Sequence, residues 1–500
     1  MKLGVRACFL LALLPGSAAW RAGAPQPRSS LLATARRRAV PLLCDSGSES
    51  LDQAGLFASL RARQQTLEDE LSERWREAKC ASKVPIALTD SWVRRVAVSW
   101  PQVAIGTADG SVVLADLSTG EELSRGRGPH PAHVEGPESA RDMKLLHGDY
   151  DGGGLTALAF TAEHVVSAGR EGGCVLWRIR SDGQLVQVAA LRDGGEEQPP
   201  VVSSLVLVLT HAADGSDGGG DVGGGGGGGG GEGAAEGCLT VWAGCLDGSV
   251  RRWDVKDGTW TQRGAGMDVH LRVPSGSPVL DIAVLPERNL LACALADGGV
   301  SIHACDSGAL LSDTWRPLAF DGSQGYSGER ARSIAIVPAA GGAHCVVVGG
   351  SDGAMHARYL SAEEEAEGEE AVGGSEAAWA GDATLATQVY SQDRPSGLQL
   401  LPSHGGACVA LAALGGGATA GLFASGAHDG TLRVWDLAGT LDTGDTGPVC
   451  LYGLAGYKVW LGSVCCDGER LISDGRDNCV LVHDFSSEAI AEWRDPRESE

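Results

Sequence analysis

Methionine, phenylalanine and tyrosine are scarce: the 500 residues hold 4, 6 and 6 of them. A core of stacked rings or flexible thioethers is thereby excluded. The 43% of hydrophobic residues must fill the interior as Val, Leu, Ile, Ala and Trp. No Cys-x-x-Cys pair occurs among the 14 cysteines, which removes the paired-thiolate signature of zinc and redox motifs. Cys174, Cys238, Cys245, Cys293, Cys345, Cys408 and Cys479 each lie in or beside a short apolar run, the setting of a reduced thiol used as a small core residue. Acid is missing before Asp45, although Lys2, Arg6, Arg21, Arg28, Arg36, Arg37 and Arg38 precede it. The remainder is therefore more acidic than the net charge of -24 for the whole chain, which disfavours nonspecific nucleic-acid binding and favours partners with basic or neutral patches.

That acid-free start has the parts of an address. Residues 1–19 combine a basic beginning, an apolar stretch too short to remain in a membrane, and a small-residue cleavage region. Residues 20–44 are rich in Arg, Ser and Ala. In succession they resemble the bipartite plastid presequences of algae with secondary plastids, with Trp20 where those usually carry Phe. The resemblance implies a plastid stroma location after cleavage, the alternative being secretion or an endomembrane lumen.

What is abundant is glycine, 74 residues, set between short Val/Leu-rich runs. Seven times a small-residue strand end meets an acid: Asp109, Glu171, Asp247, Asp297, Asp352, Asp429 and Asp477. A Gly follows the first six and Asn478 the last, residues that tolerate positive φ in a tight hairpin. Six residues beyond each acid stand Ala115, Trp177, Trp253, His303, Arg358, Trp435 and His483; the next position includes Asp116, Asp254, Asp436 and Asp484. Apolar runs upstream, at 95–98, 155–160, 201–209, 279–285, 334–337, 398–401 and 460–464, supply the innermost strand of each unit.

The ruler resembles the WD40 repeat across about residues 90–495, most fully at 247–254 and 429–436. The resemblance implies an all-β chain: a single seven-bladed WD40-type β-propeller with four-stranded antiparallel blades over 83–495. It also implies that a turn acid joins a His, a Ser or Thr and the Trp in a stiffening network. The Trp stands in three repeats and the upstream Gly-His step is largely missing, so several blades rely on packing. Acids 48 residues apart (Asp429 to Asp477) or 77 apart (Asp352 to Asp429) exceed the roughly 40–45 of a compact unit. The excess is assigned to disordered insertions at 124–151, 211–237 and 360–394. Residues 51–80 read as one amphipathic helix with Leu56, Leu60, Leu67, Leu71 and Trp75 near one face. The ring is closed by a strand at 83–88, or else by 488–493.

Catalytic and metal motifs dissolve on inspection. Ser351 sits in a Gly-x-Ser-x-Gly string, but a hairpin follows where a nucleophile elbow needs a helix. His130 and His133 lack a third ligand nearby and read as a solvated loop. The expectation is a non-catalytic scaffold that binds a protein or peptide, without metal, cofactor, small-molecule substrate or transmembrane segment. The alternatives are a propeller hydrolase or lyase, or a ubiquitin-ligase substrate receptor.

Overall fold

The computed structural model describes residues 53–130, 154–191, 199–210, 238–256, 259–262, 270–317, 330–339, 342–360, 398–440, 446–455, 457, 461–476 and 478–492. Of an N-terminal unit, Met1–Phe57, it describes only the beginning of helix α1 (Gln53–Arg76); a second unit, Ala58–Glu500, carries the fold. The 211–237 insertion, residues 131–151 and 361–394 of the other two, the Asp477 turn position and the presequence lie outside the described residues.

The second unit is a seven-bladed β-propeller with four-stranded antiparallel blades, consistent with a WD40-type fold. The innermost strands are Val93–Ser99, Leu155–Phe160, Val202–Thr210, Val279–Leu285, Ala331–Pro338, Cys408–Ala413 and Val464–Cys466. Each packs on the next in this order, and the last returns to the first. Blade 3 carries a fifth, two-residue strand, Leu271–Arg272, on its third.

Blade faces are apolar and pack on one another, which is why no blade stands alone. The small residue three before each of the first six acids sets the spacing. A Cβ built on Gly349 would lie 2.5 Å from Cys408 Sγ of the following blade, and one on Gly426 2.7 Å from Val464 Cγ2. Cys174, Cys245, Cys293, Cys345 and Cys408 are buried thiols in no disulfide, and burial pushes the Cys293 thiol up to about 12.

The N-terminal strand closes the ring. Ala81–Ala87 pairs antiparallel with Cys479–Asp484, from Ala81 opposite Asp484 to Ala87 opposite Cys479. Ser487–Glu492 forms a short helix, α2, instead of a strand. Helix α1 docks only by its C-terminal end. Trp75 is fully buried, stacks on Phe485 at 3.6 Å between centroids and donates Nε1–H to Gly468 O at 2.9 Å, while Leu60 and Leu67 stay exposed.

Four sequence expectations are corrected. The run at 398–401 is the outer strand of blade 5 (Leu398–Leu400); blade 6 begins at Cys408. Both runs are short and apolar, so periodicity alone does not tell which ladder each joins. In blade 7 only Val464–Cys466 pairs as inner strand, because the Asp474 carboxylate accepts the N–H groups of Gly462 and Ser463 in place of the ladder. Residues 124–127 belong to a strand, Glu121–Arg127, whose polar composition suits an outer edge with one buried face. Leu360 is buried rather than part of a surface excursion.

Candidate functional site

The repeat acids hold their own turns. Ser111, Ser249, Gly299, Ala354 and Thr431 each donate N–H to the Oδ1 of the Asp two residues earlier, at 2.9–3.2 Å. The Gly between takes φ of +72° to +84°, and Asn478 takes +59°. Glu171, one methylene longer, reaches instead to His130 Nδ1.

Two of the three tryptophans complete a network. Trp177 Nε1 donates to Ser167 Oγ at 2.8 Å, and His130 Nε2 lies 2.9 Å from the same hydroxyl. Trp435 Nε1 donates to Ser425 Oγ at 2.9 Å, His404 Nε2 lies 2.8 Å from it, and His404 Nδ1 is 3.2 Å from Asp429. In blade 3, Ala243 stands where Ser167 and Ser425 stand, and the buried Trp253 Nε1 has no hydrogen-bond partner among the described residues. The reading of His130 as a solvated loop is overturned: its side chain is buried between Ser167 and Glu171. Sequence reasoning missed it because it sits 41 residues before Glu171, whereas His404 precedes Asp429 by 25.

The following aspartates are structural as well. Asp254 accepts from Thr240 Oγ1 at 2.9 Å and Arg252 Nε at 3.3 Å. Buried Asp436 pairs with Arg76 of α1, and Asp484 accepts Arg470 Nε at 3.0 Å. Where Trp is replaced, His483 bridges Ser82 of the closing strand and Tyr457, at 2.7 and 3.1 Å. Ser351 accepts Arg330 N–H at 2.9 Å, a turn contact. Among the described residues no group of three or more His, Cys, Asp or Glu is placed to hold a metal ion.

What differs from blade to blade is the wall of the central channel. In five blades the residue just before the inner strand is tied to the acid turn: Ala108, Leu246, Ala296, Ser351 and His428 donate N–H to the carbonyls of Trp92, Val201, Pro278, Arg330 and Ala407, at 2.9–3.0 Å. These five therefore share one rim, on the face of the acid turns. One step inward, six inner strands bulge at the same place, at Arg94, Thr156, Ser203, Leu280, Arg332 and Val409. Next comes a belt that includes Arg95, Ala157, Ser204, Asp281, Ser333 and Ala410.

Side chains of these inner levels lace the blades together. Arg95 Nε donates to Thr156 O at 2.8 Å, Thr156 Oγ1 to Val202 O at 2.7 Å, Ser203 Oγ to Val279 O at 2.6 Å and Ser333 Oγ to Cys408 O at 3.1 Å. Asp281 joins three blades, accepting from Ser204 Oγ, Ile282 N and Ile334 N at 2.6–2.9 Å. Burial pushes the carboxyls of Asp281 and Asp474 up to about 6, while the Arg95 charge acts on both in the opposite direction. Arg330 is half-buried on the rim, and burial alone lowers its pKa. Trp92 keeps 48% of its surface exposed.

Compared with known proteins, the chain matches no family model and no curated protein.

Proposed function

We propose that this protein is a non-catalytic WD-repeat scaffold that binds a protein or peptide partner at the rim of its channel, in the plastid stroma after removal of residues 1–44. One observation carries the reading: the repeated residues serve the frame, whereas the rim positions Trp92, Val201, Pro278, Arg330 and Ala407 have nothing in common except their backbone bonds. A rigid frame that presents unlike side chains at equivalent places is suited to recognition. The partial set of tetrads supports the WD-repeat assignment: blades 2 and 6 hold His, Ser, Trp and acid together.

Affinity purification from the native source should recover a stoichiometric protein partner, and Trp92→Ala should release it without lowering the melting temperature. Turnover of a small molecule that vanished on changing one channel side chain would overturn the scaffold reading. A fluorescent protein fused behind residues 1–45 should enter the plastid; its appearance in the secretory lumen would overturn the location alone.

A further inference from the structure

In a chain of net charge -24 the channel mouth is a place where arginines gather. Arg94 and Arg332 take equivalent bulge positions in blades 1 and 5, Arg95 lies one residue deeper, and Arg330 stands on the rim. In a ring of seven, blades 1 and 5 lie on opposite sides of the channel.

The carboxylates at this level are already occupied. Asp281 accepts from three donors, and Asp474 accepts the N–H groups of Gly462 and Ser463 at 3.0–3.1 Å. The Arg95 guanidinium is held by carbonyl oxygens, those of Thr156 at 2.8 Å and Arg94 at 2.9 Å, and makes no ion pair among the described residues. Arg330 is half-buried at its rim position and makes no ion pair among the described residues. A guanidinium withdrawn from water and hydrogen-bonded to no carboxylate is favourably met by an incoming anion, in the fork geometry that suits carboxylate and phosphate alike. The acidic remainder of the molecule does not cancel this, because at about 0.15 M salt exposed charges farther than roughly 8 Å are screened.

Resting on the recognition reading above, we infer that the mouth takes anionic side chains of a partner peptide, carboxylate or phosphate, with Arg95 and Arg330 as charged contacts and Trp92 as an apolar wall. The partner is thus acidic at its point of contact, opposite to what the net charge of the chain suggests.

The test is a random dodecapeptide library, phosphoserine included, selected on the full-length protein at about 0.15 M salt. Selected peptides should be rich in Asp and Glu or in phosphoserine, and which of the two dominates identifies the source of the anion. Arg330→Gln should weaken them about tenfold or more, and Arg330→Lys should recover part of the loss, with both variants melting as cooperatively as the parent. Basic or charge-blind peptides, no selected peptides, or acidic peptides indifferent to both Arg330→Gln and Arg95→Gln would overturn the inference. So would poly-U RNA binding that these variants abolish, which would assign the mouth to nucleic acid. Charge-blind binders would leave the scaffold reading standing; that reading falls instead if no protein partner co-purifies.

Discussion

The Ser425 hydroxyl accepts Trp435 Nε1–H and donates to Nε2 of the neutral His404, whose Nδ1 faces the Asp429 carboxylate, so removing it strands two polar groups in a dry site. Ser425→Ala should cost about 1–3 kcal/mol, read from urea midpoints. Asp429→Ala belongs to the same range, since Gly405 N, Thr431 and His404 all bond that carboxylate. The converse change is available in blade 3: Ala243→Ser offers the orphan Trp253 Nε1 an acceptor and should stabilise by about 0.5–1.5 kcal/mol. Titration adds a second residue-scale expectation. Burial holds His404 and His483 down to about 4, so the folded state refuses protons that the unfolded chain takes up below about 6.5. Their contribution is therefore lost as pH falls from about 6.5 towards 4. Asp281 and Asp474, raised to about 6 from 3.8, retain protons the unfolded chain has released, and their contribution is lost as pH rises through that range. The two pairs oppose each other between pH 4 and 6. Asp281→Asn with Asp474→Asn should expose a steeper fall in stability towards acid, and His404→Gln with His483→Gln a fall towards neutral pH. Identical pH profiles for both double variants would refute the burial of these groups.

At the level of strands and helices, the seams between blades tolerate little. Gly349 leaves no room for a methyl group against Cys408, so Gly349→Ala should destabilise by about 1–3 kcal/mol through overpacking, whereas Gly183→Ala, with nothing within 4 Å of the new atom, changes only backbone strain at its φ of +82°. Helix α1 is fastened at its C-terminal end, where Trp75 is the largest buried side chain and Arg76 pairs with Asp436. Trp75→Ala should cost about 3–5 kcal/mol and release the helix end to proteolysis, while Leu60→Ala, on the exposed part, should shift the melt by less than about 0.5 kcal/mol. The amphipathic pattern of this helix was legible beforehand. That its stripe is covered only near Trp75 was not, because a periodic pattern marks a face without saying how far the partner surface extends.

For the whole molecule, closure by Ala81–Ala87 makes the two ends of the fold interdependent. A chain beginning at residue 89 lacks that strand and leaves the Cys479–Asp484 edge unpaired. Such an edge is a template for intermolecular pairing, so this chain should elute as aggregates where one beginning at residue 45 stays in a single sharp peak. A monomeric, cooperatively melting truncation would show that the first strand is dispensable.

The repeat, the number of blades and the turn chemistry were determined by the sequence alone. An Asp that caps the N–H two residues on, with Gly or Asn supplying positive φ between, acts within four residues and needs no distant partner. Tertiary structure decided whatever depends on residues far apart in the chain: that His130 completes a tetrad with Glu171, that 398–400 ends blade 5, that Ala81–Ala87 closes the ring, and that Arg95 and Arg330 take places at the start of inner strands in one ring. Insertions of variable length separate those residues, so spacing carries no information about their meeting; only the closing of seven sheets around a common axis brings them together.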